Sequence, residues 1–267
     1  MLLALDIGNT ETTVGLFAGE RLAAHWRLHT TPHRTPDEWS SSLTAHLTQA
    51  GHSTQEVRAA IVASVAPNVT RSVCDGIVLA TTREPVQVDA RSTLPVVLDV
   101  DEPLTVGADR IVNTLAASQL FQRDTIVVDF GTATTFDCIT GDGRFIGGVI
   151  MPGIRTASDD LVRKAAKLPA TELSPPKHVI GKRTEDCIRA GVLWGAADAV
   201  DGLIRRIKAE WPRRGGGEGG GQRAPQTIAT GGLAGLIAPL CNEIEAVHAD
   251  LTLIGLRLAA RALGLSW

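Results

Sequence analysis

Two short stretches place a carboxylate, a glycine and small polar groups directly behind an apolar run. The first is LALDIGNTET, residues 3–12, with Asp6, Gly8, Asn9 and Thr10; the second is VVDFGTATT, residues 127–135, with Asp129, Gly131 and Thr132. A carboxylate where a strand stops, followed by a tight turn, lets backbone N–H groups approach an anion while the carboxylate holds a hydrated cation beside it. Phosphate and magnesium can share such a pocket. Taken singly, each stretch is equally well a plain hairpin turn, because Asp and Gly are also the residues that turns demand. Two copies in one chain change the balance, since they can face one another across a cleft and grip a polyphosphate from both sides.

A third constellation, VGADRIVN (residues 106–113), sets Gly107 and Ala108 before Asp109 and Arg110 at the start of a helical pattern. Asp109 there is either a helix N-cap or a base that accepts a proton from an attacking hydroxyl. A fourth, TIATGGLAGLI (residues 227–237), is a strand, then Gly231-Gly232, then a helix. Its turn either brings the backbone against a flat adenine or ribose or simply makes a tight connection. Neither a GxxxxGK[ST] phosphate loop nor a GxSxG hydrolase elbow occurs. His25, His29 and His33 recur every four residues, but Pro32 argues against the helix that would align them, so they read as a solvated loop.

The elements that must position these residues follow from periodicity. Residues 2–7, 12–18 and 21–28 read as an antiparallel meander of three strands, with Gly19-Glu20 as a turn. The same pattern returns over residues 125–153, and the spacing from Asp6 to Gly19 nearly equals that from Asp129 to Gly141. The chain therefore reads as a duplicated unit. Between the copies, residues 58–67 and 85–90 read as strands and residues 36–50, 71–81 and 109–122 as helical, the alternation of an α/β layer structure. The boundary falls near residue 117, giving domains 1–117 and 118–267. Further amphipathic helices are expected over 157–168, 185–211 and 250–264. Gly191, Gly195 and Gly202 lie at helical spacing, either for close helix packing or for close ligand approach, with packing favoured. Residues 213–221, RRGGGEGGG, read as a flexible surface insertion.

Composition sets the outer limits. The 267 residues, 44% of them hydrophobic, can bury a sizeable core, and a net charge of -3 gives no general attraction to nucleic acid or to an anionic membrane. Cys74, Cys138, Cys187 and Cys241 form no CxxC pair, so no zinc or redox motif is expected and reduced thiols are. The run MLLALDIG meets Asp6 too early for a signal peptide, and no apolar stretch approaches the roughly 18 residues of a membrane helix. A cytoplasmic location is the expectation.

In order along the chain, Asp6-Ile-Gly-Asn-Thr10, Gly107-Ala-Asp-Arg110, Asp129-Phe-Gly-Thr-Ala-Thr134, Gly147-Gly148 through Pro152-Gly153, Ile180-Gly181-Lys182 with Thr184, and Thr230-Gly231-Gly232 resemble the motif series of type III pantothenate kinases. The resemblance runs from residue 3 to the helix opening at Asp250. It implies two duplicated ribonuclease-H-like domains of the actin-like, sugar-kinase-like superfamily with a cleft between them. It implies ATP-dependent phosphorylation of pantothenate to 4'-phosphopantothenate, the first step of coenzyme A biosynthesis. Under it, Asp6, Ile7, Gly8, Asn9, Thr10, Glu11, Thr12 and Thr13 bind the ATP phosphates with Thr132 contributing from the opposite side. Asp6 stands near magnesium through water, and Asp129 holds a monovalent cation, potassium or ammonium. Gly107, Ala108, Asp109 and Arg110 contact pantothenate with Asp109 as the catalytic base, and Thr184 is a further substrate contact. A homodimer is also implied.

One departure stands out. Many members of that family carry a tyrosine seven residues before the GADR glycine, where this chain has Val100; the whole chain contains no tyrosine. An apolar wall survives that change but a phenolic hydrogen bond does not. The alternative function is a transcriptional accessory protein that keeps the kinase fold without the activity, and intact Asp6, Asp109 and Asp129 weigh against it.

Overall fold

The computed structural model describes residues 1–214 and 224–267. Of the low-complexity loop expected at 213–221, residues 213 and 214 continue a helix and the rest lie outside the described residues. The chain forms two compact units, one of residues 1–119 together with 251–267 and the other of residues 120–250. Among the described residues no helix is long and apolar enough to cross a membrane.

The first unit is built on a five-stranded sheet in the order β3-β2-β1-β4-β5, from β1 (Leu2–Ile7), β2 (Glu11–Ala18), β3 (Arg21–His29), β4 (Ala59–Ser64) and β5 (Val86–Val88). β1 and β2, and β2 and β3, pair antiparallel, while β1–β4 and β4–β5 are parallel. The run LLALDI has no polar residue before its end because helices cover both faces of β1. Leu3, Leu5 and Ile7 pack on one face with Trp39, Leu43, Val73 and Ile77 of α1 (Pro36–Gln49) and α2 (Pro67–Thr81). Leu2 and Ala4 pack on the other with Ile111, Val112, Leu253 and Leu256 of α3 (Ala108–Phe121) and α7 (Leu251–Ala262). Thr35 and Glu38 form a capping box that starts α1, Thr35 donating its backbone N–H to the Glu38 carboxylate at 2.7 Å.

The second unit repeats the plan. Its strands β7 (Thr125–Phe130), β8 (Ala133–Ile139), β9 (Arg144–Pro152), β10 (Gln226–Thr230) and β11 (Ala246–Val247) run in the order β11-β10-β7-β8-β9; β6 (Val97–Leu98) precedes α3 in the chain. Again the first strand pairs antiparallel with the second, the second with the third, and the first parallel with the strand after the crossover. Ile126, Val128 and Phe130 pack on Leu193, Val200 and Ile204 of α5 (Thr184–Arg214), with α4 (Ile154–Lys164) and α6 (Ala234–Ile237) in the same unit. The matching topologies, strand for strand, make this the duplicated ribonuclease-H-like architecture expected from the two Asp-x-Gly hairpins.

Two expectations need correction. The domain assignment 118–267 fails at its C-terminal end, because α7 buries Leu253, Leu256, Ala259 and Ala260 in the core of the first unit and so belongs there. His25 and His29 lie on the strand β3 with exposed side chains rather than in a loop, since the alternation of β3 turns every second residue outward. Leu5→Ala, which empties a fully buried position of β1, is expected to cost about 2–5 kcal/mol in chemical denaturation.

Candidate active site

The first turn grows out of β1. The side-chain period of two puts Asp6 on the same sheet face as Leu2 and Ala4, the face that α3 and α7 cover, but one residue short of the strand's end, where it is only half-buried. Asp6 stands opposite Thr13 across the hairpin and beside Ala63 of β4. Gly8 donates its N–H to the Glu11 carbonyl at 3.0 Å, closing the turn, and Asn9, Thr10 and Glu11 are exposed on it. Two members of the expected ATP-binding set turn inward. Ile7 is core, and Thr12 is fully buried with its hydroxyl 2.9 Å from that of Thr30, so either could serve a ligand only through its backbone.

Asp109 comes to the same sheet face on α3. The Gly107 carbonyl accepts the first helical hydrogen bond, from Ile111 at 3.2 Å, so Asp109 lies inside the first turn and is not the cap residue. The Asp109 Oδ1 accepts the Arg110 backbone N–H at 2.8 Å. A side chain on Gly107 would place its Cβ 2.6 Å from that same oxygen; glycine is what leaves the carboxyl its room. Burial raises the pKa of Asp109 from 3.8, outweighing the Arg110 backbone bond and the Arg110 charge, which lower it. Its surface exposure is intermediate, so the desolvation comes from protein packed around a carboxyl that still has an opening to solvent. A proton acceptor poised above the ordinary carboxylate range, within reach of solvent, suits general-base work. Val100 lies half-buried in the irregular approach to α3 and brings no hydrogen-bonding side chain.

In the second unit Asp129 stands opposite Thr135 of β8 and beside Thr230 of β10, the counterparts of Thr13 and Ala63. The turn closes in the same way, Gly131 donating to the Ala133 carbonyl at 3.0 Å, and Gly131 and Thr132 are exposed. The Thr132 carbonyl accepts from Gly153 N–H at 3.1 Å and from the Thr156 hydroxyl at 2.7 Å, which fixes the turn to the start of α4. Gly231 has φ +92°, and a Cβ there would run into Asp129 Oδ1 and come within 2.7 Å of Phe130 N. This is the part of the site that the residue pattern of the fourth constellation left open. The glycine is demanded by the carboxylate of Asp129 and by its own left-handed backbone, which L side chains rarely adopt.

Beside Asp129, the Thr230 hydroxyl is fully buried and has no hydrogen-bond partner. A carboxylate with an unsatisfied hydroxyl on the same sheet face is an oxygen donor set of the kind that hard cations take. Among the described residues no group of three or more His, Cys, Asp or Glu side chains could hold a metal ion. Any cation therefore depends on hydroxyl, carbonyl or ligand oxygens besides its one carboxylate.

Thr184 opens α5 and lines a cavity of about 670 Å³ between α4, α5 and the end of β9, among Met151, Ile154, Leu161, Ile188 and Val192. Gly191 and Gly195 also line it, and a Cβ at Gly191, Gly195 or Gly202 would meet nothing within 4 Å. The helix-packing reading of these three glycines is thus not met: among the described residues, no atom of a neighbouring helix lies within 4 Å of where their side chains would begin. Pro152, beside Gly153, connects this cavity to the Thr132 turn.

A family model described as type III pantothenate kinase matches residues 2–206. Among curated proteins, the type III pantothenate kinase of Thermomicrobium roseum is 45% identical, covering 97% of this chain and 96% of its own. That of Moorella thermoacetica is 41% identical over 97% of this chain and 98% of its own. Among solved structures, a Campylobacter jejuni protein assigned to the Baf family of transcriptional activators superposes with a TM-score of 0.60 over 97% of both chains at 17% identity, a likeness of fold. Gly231→Ala, forced to hold φ +92° against the Asp129 carboxylate, is expected to lower stability by about 1–3 kcal/mol, measured as a shift of the denaturation midpoint.

Proposed function

We infer the working of this site from the premise that the chain belongs to the type III pantothenate kinase family. The activity is ATP-dependent phosphorylation of pantothenate, the step that opens coenzyme A synthesis. The observation that carries the assignment of roles is Asp109, a desolvated carboxylate for which Gly107 makes space at the head of α3.

The reaction forms a bond from the primary hydroxyl oxygen of pantothenate to the γ-phosphorus of ATP and breaks the bond from that phosphorus to the bridging oxygen of ADP. Phosphoryl transfer asks mainly for in-line placement and for neutralised charge. Asp109 orients the hydroxyl and accepts its proton as the transfer proceeds. Gly107, Ala108 and Arg110 contact the acceptor around it, with Thr184 as a further contact. Asp6 and the turn through Asn9, Thr10 and Glu11, with Thr13 behind them, take the ATP phosphates, and Thr132 belongs to the same nucleotide set. Ile7, Gly8 and Thr12 contribute backbone. Asp6 would hold magnesium through water, and Asp129 with the Thr230 hydroxyl would hold a monovalent cation, potassium or ammonium. Bound there, the cations would offset phosphate charge.

A homodimer accords with the apolar cavity beside α5 and with the exposed side chains of Ile150 and Leu161 near it, surface that a second copy would cover. Light scattering is then expected to report about twice 28.2 kDa; a monomer at micromolar concentration overturns that part.

The test of the main reading is pantothenate-dependent release of ADP. Asp109→Asn is expected to lose about 10²–10⁴-fold in kcat. Because the carboxyl must be ionised to accept a proton and burial raises its pKa, the rate should fall as pH drops through a value above 3.8. In the same direction of linkage, a raised folded-state pKa means that ionised Asp109 costs stability at neutral pH. The Asn variant should therefore melt no lower than the parent. Strong turnover by the variant would remove Asp109 from its role.

A further inference from the structure

The first turn of α3 has a clamp that comes from the other end of the chain. α7 crosses α3 so closely that a Cβ on Gly255 would overlap the Val112 carbonyl oxygen and lie 2.7 Å from its carbonyl carbon. Three residues earlier on the same helix, the Thr252 hydroxyl donates to Asn113 Oδ1 at 2.9 Å, and Asn113 is buried, 1% exposed. Asn113 lies four residues after Asp109, one turn further along the same helix. The backbone contact sets how near the helices stand, and the hydrogen bond sets where along its axis α3 rests. Apolar packing of Ile111, Val112, Leu253 and Leu256 supplies attraction without that axial register, since such contacts are non-directional.

We propose that Thr252 and Gly255 are positioning residues for the reaction, holding α3 through Asn113 and Val112 so that the Asp109 carboxyl stays in register with the Asp6 face of the sheet. This rests on the reading of Asp109 as the base. The helix is an apt element to fix in this way because its functional carboxyl sits in its first turn, beside Gly107, whose missing side chain leaves it room. A small slide of a packed helix carries its end groups with it, and general-base catalysis is sensitive to misplacement of that order. Thr114 adds a local restraint, its hydroxyl donating to the Arg110 carbonyl at 2.8 Å. That bond lies within α3 and cannot set the position of the helix against the sheet.

The test compares Thr252→Val, which keeps the shape and removes the hydroxyl, with Thr252→Ser, which restores it, and with Gly255→Ala. In the pantothenate-dependent assay, Thr252→Val is expected to lower kcat about tenfold while KM for ATP stays within twofold, and Thr252→Ser to recover kcat to within twofold of the parent. Gly255→Ala should lower kcat further where it folds. The proposal is overturned if Thr252→Val keeps the parent kcat, if the serine variant is as slow as the valine, or if KM for ATP rises in proportion to the loss. Asp109→Asn run alongside separates the two readings. Full turnover by that variant sinks the base itself, whereas a slow Asp109→Asn with a normal Thr252→Val sinks only the clamp.

Discussion

A strand covered by helices on both faces has nowhere to show a polar side chain except at its end. β1 is such a strand, and it and β7, each an interior strand of its own sheet, release an aspartate only toward the carboxyl end. Burying an unpaired carboxylate in mid-strand would cost several kcal/mol, while one at the rim keeps solvent and ligands within reach. The turns that follow, the glycines that admit them and the threonines facing them across the hairpin are all arranged around these two exits. Chemistry at strand ends, with the interior left to packing, is the usual arrangement of open α/β sheets.

Much of this was legible in the residues. The hairpin meander, the duplication and the position of Asp109 at a helix start follow from local patterns: alternation in strands, turn residues at matching distances and glycine before a helix. Other features were not, because they depend on contacts between segments far apart in the chain. Nothing near Gly231 says that its neighbour is the Asp129 carboxylate, a hundred residues away, and a positive φ leaves no mark on a glycine's identity. The glycines of α5 misled for the opposite reason. Their spacing is that of a packed helix face, but the space that Gly191 and Gly195 border is a cavity, and periodicity reports which residues share a face without saying what covers it. Ile7 and Thr12 belong to the ATP-binding set that the resemblance implies, but each lies at or next to the end of a strand flanking the turn, and alternation turns both into the core.

Asp109 illustrates how fold and function pull apart. Packing stabilises α3 against the sheet and also strips water from a carboxyl at its end, which raises the energy of the charged form. A base of useful strength is therefore obtained by the same burial that elsewhere only adds stability, and the folded state carries a small penalty at neutral pH for it.

The return of α7 to the first unit also orders events in time. As the chain leaves the ribosome, residues 120–250 can complete their own contacts before the last helix has emerged, because synthesis is vectorial and compact units fold as they become available. The sheet face that bears Asp6 keeps half of its cover missing until residues 251–267 arrive. A stop anywhere before α7 would thus release a chain whose inserted unit is whole and whose first unit is open along an apolar face, a product suited to capture by chaperones and proteases rather than to activity.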